Sequence, residues 1–262
     1  MFLTMNAYKL TNGQLLPSQP VIAQEEPLVI RINGSDYATL MSSPGLEKEL
    51  AVGFCFSEGI INSLHEIKFL HHCGSGVESE ERIVEVRLGS DISALPQRSL
   101  EVRSGCGICG RVLLDELKKR LSAINSSITT TSNLLFRMHD QMLSLQQLFK
   151  STGGTHAAAL FNTDGNLLLQ AEDIGRHNAL DKVIGQGLLR KITFTDTILL
   201  LTGRASYEML LKTIRAGIPI LASVSGTTNL AVQLAQALNC TLIGFLRQPG
   251  LEIYAHQERL IA

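Results

Sequence analysis

The 262-residue sequence lacks an excess of charge of either sign, a long apolar run and an even complement of cysteines, and each lack excludes a class of protein. Lys plus Arg number 23 against 24 Asp plus Glu, a formal net charge of −1. No basic field covers the surface, so generic nucleic-acid binding, which needs clustered cations against phosphate, is disfavoured. A local cationic pocket for one phosphorylated ligand stays open. No apolar stretch approaches the ~18 residues of a membrane span. The opening M-F-L-T-M-N-A-Y-K-L has neither the basic start nor the long apolar core of a signal peptide. The chain is therefore expected to be cytoplasmic, with no membrane partner. Its cysteines, Cys55, Cys73, Cys106, Cys109 and Cys240, are odd in number, and in a reducing compartment no disulfide framework is expected. Repeats and low-complexity tracts are absent, and 45% apolar against 18% charged residues argues against disorder and coiled coil alike. The length suits one large domain or two small ones with a full core.

Periodicity outlines the elements. Residues 27–32 (P-L-V-I-R-I) read as a strand ended by the turn signal Asn33-Gly34. Residues 46–60 read as a helix with Leu46, Leu50, Phe54 and Cys55 along one face, 81–88 as a half-buried strand, and 74–76 and 90–98 as loops. In the second half Leu134, Leu135, Met138, Met142, Leu145 and Phe149 keep helical spacing up to Gly153-Gly154, which ends that helix. Residues 156–161 and 167–171 form a hairpin around Asp164-Gly165, and Leu180, Val183, Ile184 and Leu188 mark a helix. Strand 197–201, helix 207–215, strand 218–224, helix 229–238 and strand 241–246 complete the order α-β-β-α-β-α-β-α-β. Such alternation predicts an α/β protein whose mostly parallel sheet carries helices on both faces, the opening hairpin making it mixed.

That order resembles the cytidine-deaminase-like fold. The expected organisation is a smaller α+β N-terminal domain over residues 1–103, a cysteine loop and connecting helix over 104–132, and the cytidine-deaminase-like domain over 133–262. Zinc deaminases carry H-x-E and P-C-x-x-C at the starts of their second and third helices. Here those places read Gly175-Arg176-His177-Asn178 and Gly203-Arg204-Ala205-Ser206, so the ligands of that chemistry are missing. Fold alone gives no function.

The most reactive feature is S-G-C-G-I-C-G, which sets Cys106 and Cys109 in C-x-x-C spacing among Gly105, Gly107 and Gly110. Residues 111–121 then read as a helix with Val112, Leu113, Leu117 and Leu121 apolar. A thiol at a helix N-terminus, with Arg111 beside it, is favoured as thiolate. Three chemistries fit. Half a zinc knuckle would need two more ligands, which His71, His72 and Cys73 could supply. A dithiol–disulfide switch fits the spacing but lacks the thioredoxin-like βαβ context. A sulfur carrier would load sulfane sulfur on one thiolate, the other assisting release. Spacing does not separate the last two. Cys55 and Cys240 stand among apolar residues and are expected to be buried and inert.

In an open α/β sheet, ligands bind beyond the carboxyl ends of the strands, near helix N-termini. Three polar turns fall there: residues 173–177, 202–206 and 225–228. The segment Phe245, Leu246, Arg247, Gln248, Pro249 and Gly250, after the last expected strand, lies at the same edge. Arg176 and Arg204 could hold phosphates bidentately. Taken singly, each arginine reads as a surface ion pair, His177 as a capping or core histidine and Asp173 as an N-cap. Their convergence on one edge gives the functional reading.

Together the motifs resemble the formate dehydrogenase accessory sulfurtransferase family, FdhD. They are E-E-P-L-V-I-R-I-N-G from Glu25, P-G-L-E-K-E-L-A-V-G-F-C-F-S-E-G-I-I from Pro44 and S-G-C-G-I-C-G from Ser104. T-G-G-T-H-A-A-A-L from Thr152, E-D-I-G-R-H-N-A-L-D-K from Glu172, G-R-A-S-Y-E-M from Gly203 and G-I-P-I-L-A-S-V-S from Gly217 come after them in order. The one departure is Gln257, where a proline would be expected. The resemblance implies a carrier that takes sulfur from a cysteine desulfurase and delivers it to the molybdenum bis(molybdopterin guanine dinucleotide) cofactor before insertion into formate dehydrogenase. It implies that Cys106 bears the persulfide and Cys109 assists. It implies that residues 245–250 contact the guanine dinucleotide, that the protein has no metal of its own, and that it is a homodimer. The Cys106 thiolate would attack the outer sulfur of the donor persulfide. Cys109 could then displace sulfide, leaving a disulfide to be reduced, or the outer sulfur could pass directly to the metal. A cofactor-binding chaperone that moves no sulfur is the alternative.

Overall fold

The structure, a computed structural model, describes residues 2–73, 82–89 and 121–261. The chain opens with Phe2–Thr4 (β1), Ala7–Thr11 (β2), Gln14–Ser18 (β3) and Val21–Ala23 (β4). These make one long antiparallel hairpin, because β1 on β4 and β2 on β3 keep a single register, from Phe2 opposite Ala23 to Thr11 opposite Gln14. Asn12 and Gly13 close it, both at positive φ as a two-residue I′ turn requires.

Next comes a four-stranded sheet of order β6-β5-β8-β7, from Glu26–Ile32 (β5), Ser35–Ser42 (β6), Ile67–Cys73 (β7) and Arg82–Leu88 (β8). β5 and β6 turn at Asn33-Gly34 as expected, and β8 runs parallel to β5. Helix α1 (Glu47–Ser57) does not present the single apolar stripe expected of it. All of its residues from Leu50 to Ser57 are buried, since it is wedged between this sheet and a helix of the second half.

The second half is a six-stranded mixed sheet of order β11-β10-β12-β13-β14-β15. Its strands are His156–Asn162 (β10), Leu167–Asp173 (β11), Thr197–Leu201 (β12), Ile220–Ser223 (β13), Thr241–Arg247 (β14) and Gly250–Ala255 (β15). β12, β13 and β14 are parallel; β10 is antiparallel to both its neighbours and β15 to β14. The strand expected as the last is therefore succeeded by β15, and Leu260–Ile261 (β16) pairs with Thr130–Thr131 (β9). The single helix expected up to Phe149 is two: Ser132–Leu145 (α2) and Gln147–Thr152 (α3), broken at Gln146 with ψ 82°. The break is stabilised from outside. The Glu172 carboxylate accepts the Leu148 and Phe149 N–H groups at 2.9 and 2.8 Å, satisfying first-turn amides of α3.

Helix α2 covers one face of this sheet, where Leu135, Met138 and Met142 meet Phe161, Ile198 and Leu246. Arg176–Leu189 (α4), Tyr207–Arg215 (α5) and Asn229–Ala237 (α6) cover the other. One apolar cluster runs from Leu28 and Val84 of the small sheet through Leu50 and Phe54 of α1 to Leu180 and Ile184 of α4 and Leu199 of the large sheet. The crossing of α1 and α4 is closed by reciprocal glycines. A Cβ on Gly53 would overlap the Asp181 carbonyl, and one on Gly185 the Glu49 carbonyl. Buried polar contacts lock the joint: Ser57 Oγ donates to Asp181 at 2.7 Å, Asp181 pairs with Lys212, and Arg215 donates to the Phe56 and Ile61 carbonyls. No described helix is long and apolar enough to cross a membrane.

Candidate functional site at the carboxyl edge of the large sheet

Cys106 and Cys109, their glycines and the helix expected over 111–121 lie outside the described residues, apart from Leu121. On either side of that span, Gly89 donates to the Glu66 carbonyl, and Leu121 lines a 430 Å³ cleft with Phe56, Ile214 and Arg215, at the C-terminal end of α5. The other thiols divide sharply. Cys55 and Cys240 are buried, as expected, and burial above all pushes each thiol up to about 12. Neither supplies a thiolate at neutral pH. Cys73 is exposed at the end of β7. Successive strand side chains alternate faces, so His71 and Cys73 share one face of β7 and His72 the other. Among the described residues no three His, Cys, Asp or Glu side chains gather as a metal site.

At the carboxyl edge, the turn from β11 into α4 separates two kinds of residue. Asp173 is not the N-cap expected of it. Gly175 holds that place without a side-chain cap, and Asp173 is fully buried. The carboxylate sits 2.7 Å from Lys182 Nζ and accepts from Ser43 N, Gly175 N and Asn178 Nδ2 at 3.1, 2.9 and 2.9 Å. Lys182 also donates to the Ser43 carbonyl at 2.9 Å. Asp173, Asn178 and Lys182 therefore fasten the first half of the chain to the large sheet and offer nothing to a ligand.

Arg176 and His177, one turn away, face the edge. Arg176 is half-buried, and its Nε is enclosed with no hydrogen-bond partner among the described residues. Gly203 allows its close approach: a Cβ there would stand 3.1 Å from Arg176 Cβ and 3.3 Å from His156 Nδ1. His156, which the sequence motifs leave unmarked as a site residue, thus stands beside Arg176. Its pKa is lowered by burial first and then by the Arg176 cation. His177 neither caps the helix nor fills the core; its Nε2 lies 3.2 Å from Glu208, tying the N-terminus of α4 to that of α5. Burial and Lys212 lower its pKa. At the start of α5, Ser206 makes no side-chain cap, and its Oγ and the Tyr207 hydroxyl are enclosed without a partner among the described residues. Burial, aided by Glu208, pushes the Tyr207 phenol up to about 12. Arg204 is exposed.

The next turns are laced to this one. Ser223 Oγ donates to the Gly203 carbonyl at 2.7 Å, Ala205 N to Gly226 O at 3.1 Å and Thr227 Oγ1 to Ala205 O at 2.9 Å. Thr228 caps α6. The six residues from Phe245 to Gly250 are not a loop but the end of β14, a turn at Gln248-Pro249 and the start of β15. Phe245 is exposed at φ 50°, and its ring lies over Gly226, 3.0 Å from where a Cβ would stand. Arg247 is exposed and donates from Nε to the Val224 carbonyl at 3.2 Å. Leu246 points into the core against α2 and has only its backbone to offer. The expected edge residues thus form a strip from His156 and Arg176 across Gly203 and Gly226 to Phe245. It carries two uncapped helix N-termini, an orphaned guanidinium nitrogen and one exposed aromatic ring. These are donors for an oxyanion and a platform for a flat ring. Beside the α4 N-terminus, a 490 Å³ cleft is lined by Ile22, Ala23, Met41, Thr152, Gly154 and Gly175.

Comparison with known proteins covers nearly the whole chain. The model of the FdhD/NarQ family matches residues 23–261. A sulfur carrier protein FdhD from Mycolicibacterium paratuberculosis is 40% identical over 261 residues, 96% of each chain. One of the same name from Saccharolobus solfataricus is 41% identical, covering 96% of this chain and 95% of its own. A crystal structure described as a putative formate dehydrogenase accessory protein, from Desulfotalea psychrophila, superposes with a TM-score of 0.80 at 24% identity over 99% of both chains.

Proposed function

The chain belongs to the FdhD/NarQ family, and from that premise we propose that it is a sulfur carrier whose Cys106 accepts sulfane sulfur from a cysteine desulfurase. The observation that carries this reading is near-full-length similarity to proteins named sulfur carriers, joined to the C-x-x-C at residues 106–109. The structure supports it by elimination, since Cys55 and Cys240 are buried, un-ionised thiols. The Cys106 thiolate attacks the outer sulfur of the donor's persulfide. A sulfur–sulfur bond forms as the donor's breaks, and the donor cysteine leaves as thiolate. Cys109 thiolate then attacks the inner sulfur, releasing hydrosulfide and leaving a Cys106–Cys109 disulfide for a cellular dithiol to reduce, or the outer sulfur passes directly to the acceptor.

The acceptor is the molybdenum bis(molybdopterin guanine dinucleotide) cofactor, carried as client cargo before its insertion into formate dehydrogenase. The residues at the edge fit it. Arg176, Arg204 and the open amides at the starts of α4 and α5 suit the diphosphate, and Phe245 with residues 246–250 suits the guanine. The protein works as a cytoplasmic homodimer. The strand order β11-β10-β12-β13-β14 with β10 antiparallel accords with a cytidine-deaminase-like body in which the zinc-ligand turns are replaced by Gly175-Arg176-His177 and Gly203-Arg204-Ala205.

Intact-mass measurement after incubation with a desulfurase and cysteine tests the carrier. Wild type should gain one or more sulfur atoms, Cys106→Ala none, and Cys109→Ala should load but deliver poorly. Loading of Cys106→Ala equal to wild type would move the persulfide to another thiol. A wild type that binds the cofactor and never loads would be a chaperone.

A further inference from the structure

The hairpin of residues 2–23 departs from every other element in what it leaves uncovered. Tyr8 is 75% exposed, and Leu10 and Leu15 are 67% exposed. Phe2, Met5 and Leu16 are also more than half exposed. The hairpin is rooted in the body where β4 meets α3, Ala23 Cβ lying 3.5 Å from where a Cβ on Gly154 would stand. From there about ten residues per strand extend it by roughly 30 Å. At its tip, a Cβ on Gly13 would meet no atom within 4 Å. A two-stranded ribbon bare on both faces is marginal in water on its own. At roughly 100 Å² for each exposed side chain the six named residues present on the order of 600 Å² of apolar surface, the upper end of what a monomer tolerates. Adjoining residues bring this to the ~800 Å² per partner of a standard interface.

We propose that this hairpin is an interface arm that packs against the same arm of a second copy of the chain, which rests on the homodimer reading above and gives it a surface. Charge selects that occupant. Between Phe2 and Ala23 the only charged side chain is Lys9. Pleat alternation with the observed register puts Tyr8, Leu10, Leu15 and Pro17 on one face and Lys9 on the other. The uncharged face therefore meets its own image across a two-fold axis without like-charge repulsion, as an isologous contact requires. A visiting donor or client protein would leave the arm bare between visits, whereas a second copy is always at hand. The arm lies outside the span 23–261 matched by the family model, save its last residue. Its root strand also supplies Ile22 and Ala23 to the 490 Å³ cleft beside Gly175, so pairing the arms walls that cleft.

Analytical ultracentrifugation of wild type and of Tyr8→Glu/Leu15→Glu tests the arm, with a second form lacking residues 2–22. Wild type should sediment at twice 28.6 kDa. Both altered proteins should sediment at the single-chain mass with unchanged circular dichroism, the dissociation constant rising at least a hundredfold. A wild-type dimer that survives both changes would place the two-fold contact elsewhere and overturn the arm. A wild-type monomer would overturn the arm and the homodimer together. Sulfur loading, read separately by intact mass, would stand or fall independently of either result.

Discussion

Replacing Lys182 by Met should destabilise the protein more than losing any residue of the exposed edge. Lys182 is buried and 2.7 Å from the fully buried Asp173 carboxylate, and it is that carboxylate's only ion-pair partner among the described residues. The substitution keeps the stem's volume and removes the charge. Asp173 would retain the Ser43, Gly175 and Asn178 donors but no cation. Removing one member of a buried pair typically costs about 3–5 kcal/mol, because the survivor is left charged and dry. For a chain of this size each kcal/mol lowers Tm by about 2–4 °C, so a fall of roughly 6–20 °C is expected. Thermal denaturation followed by circular dichroism reads it. The double variant Asp173→Asn/Lys182→Met should recover most of the loss, since the amide keeps an acceptor and no charge is stranded. A single variant within about 2 °C of wild type, or a double variant no better than the single, would refute the assignment of this pair as the joint between the two halves.

The geometry sets three further outcomes. Gly185→Ala should lose at least about 3 kcal/mol in urea denaturation, because its Cβ overlaps the Glu49 backbone and only separation of α1 from α4 relieves it. Cys55 and Cys240 keep their protons up to about 12 in the folded chain against 9.0 unfolded. Their stabilisation is therefore full below pH 9.0 and is lost as pH rises toward about 12, so the Cys55→Ala/Cys240→Ala protein should show a shallower alkaline fall in Tm than wild type. Isothermal calorimetry with GDP should show Arg176→Ala weakened about tenfold to a hundredfold, as for a charge-assisted contact at a half-buried site, and the exposed Arg204→Ala tenfold or less. Equal affinities in both, or equal binding of ADP, would remove the nucleotide from this edge.

The sequence by itself determined whatever is set by local pattern. Helix α5 and strand β12 fall at the predicted bounds because their apolar spacing is strict and their ends carry polar turns. The β5–β6 turn arises from Asn33-Gly34, since few residue pairs accept two positive φ values. Asn12-Gly13 carries the same signal and marks the arm, though the flanking residues lack the alternation that makes a strand evident. Tertiary structure decided what depends on partners distant in the chain. The break at Gln146 has no local cause; it exists because Glu172, 24 residues away from Leu148, caps the first turn of α3. The motif from Glu172 to Lys182 reads as one functional signature, yet packing divides it. Asp173, Asn178 and Lys182 turn inward to Ser43 and Met41, while Arg176 and His177 remain at the sheet edge. His156 joins them only because Gly203, far from it in the chain, leaves room for its ring beside Arg176, and that adjacency is written in the fold, not in the spacing.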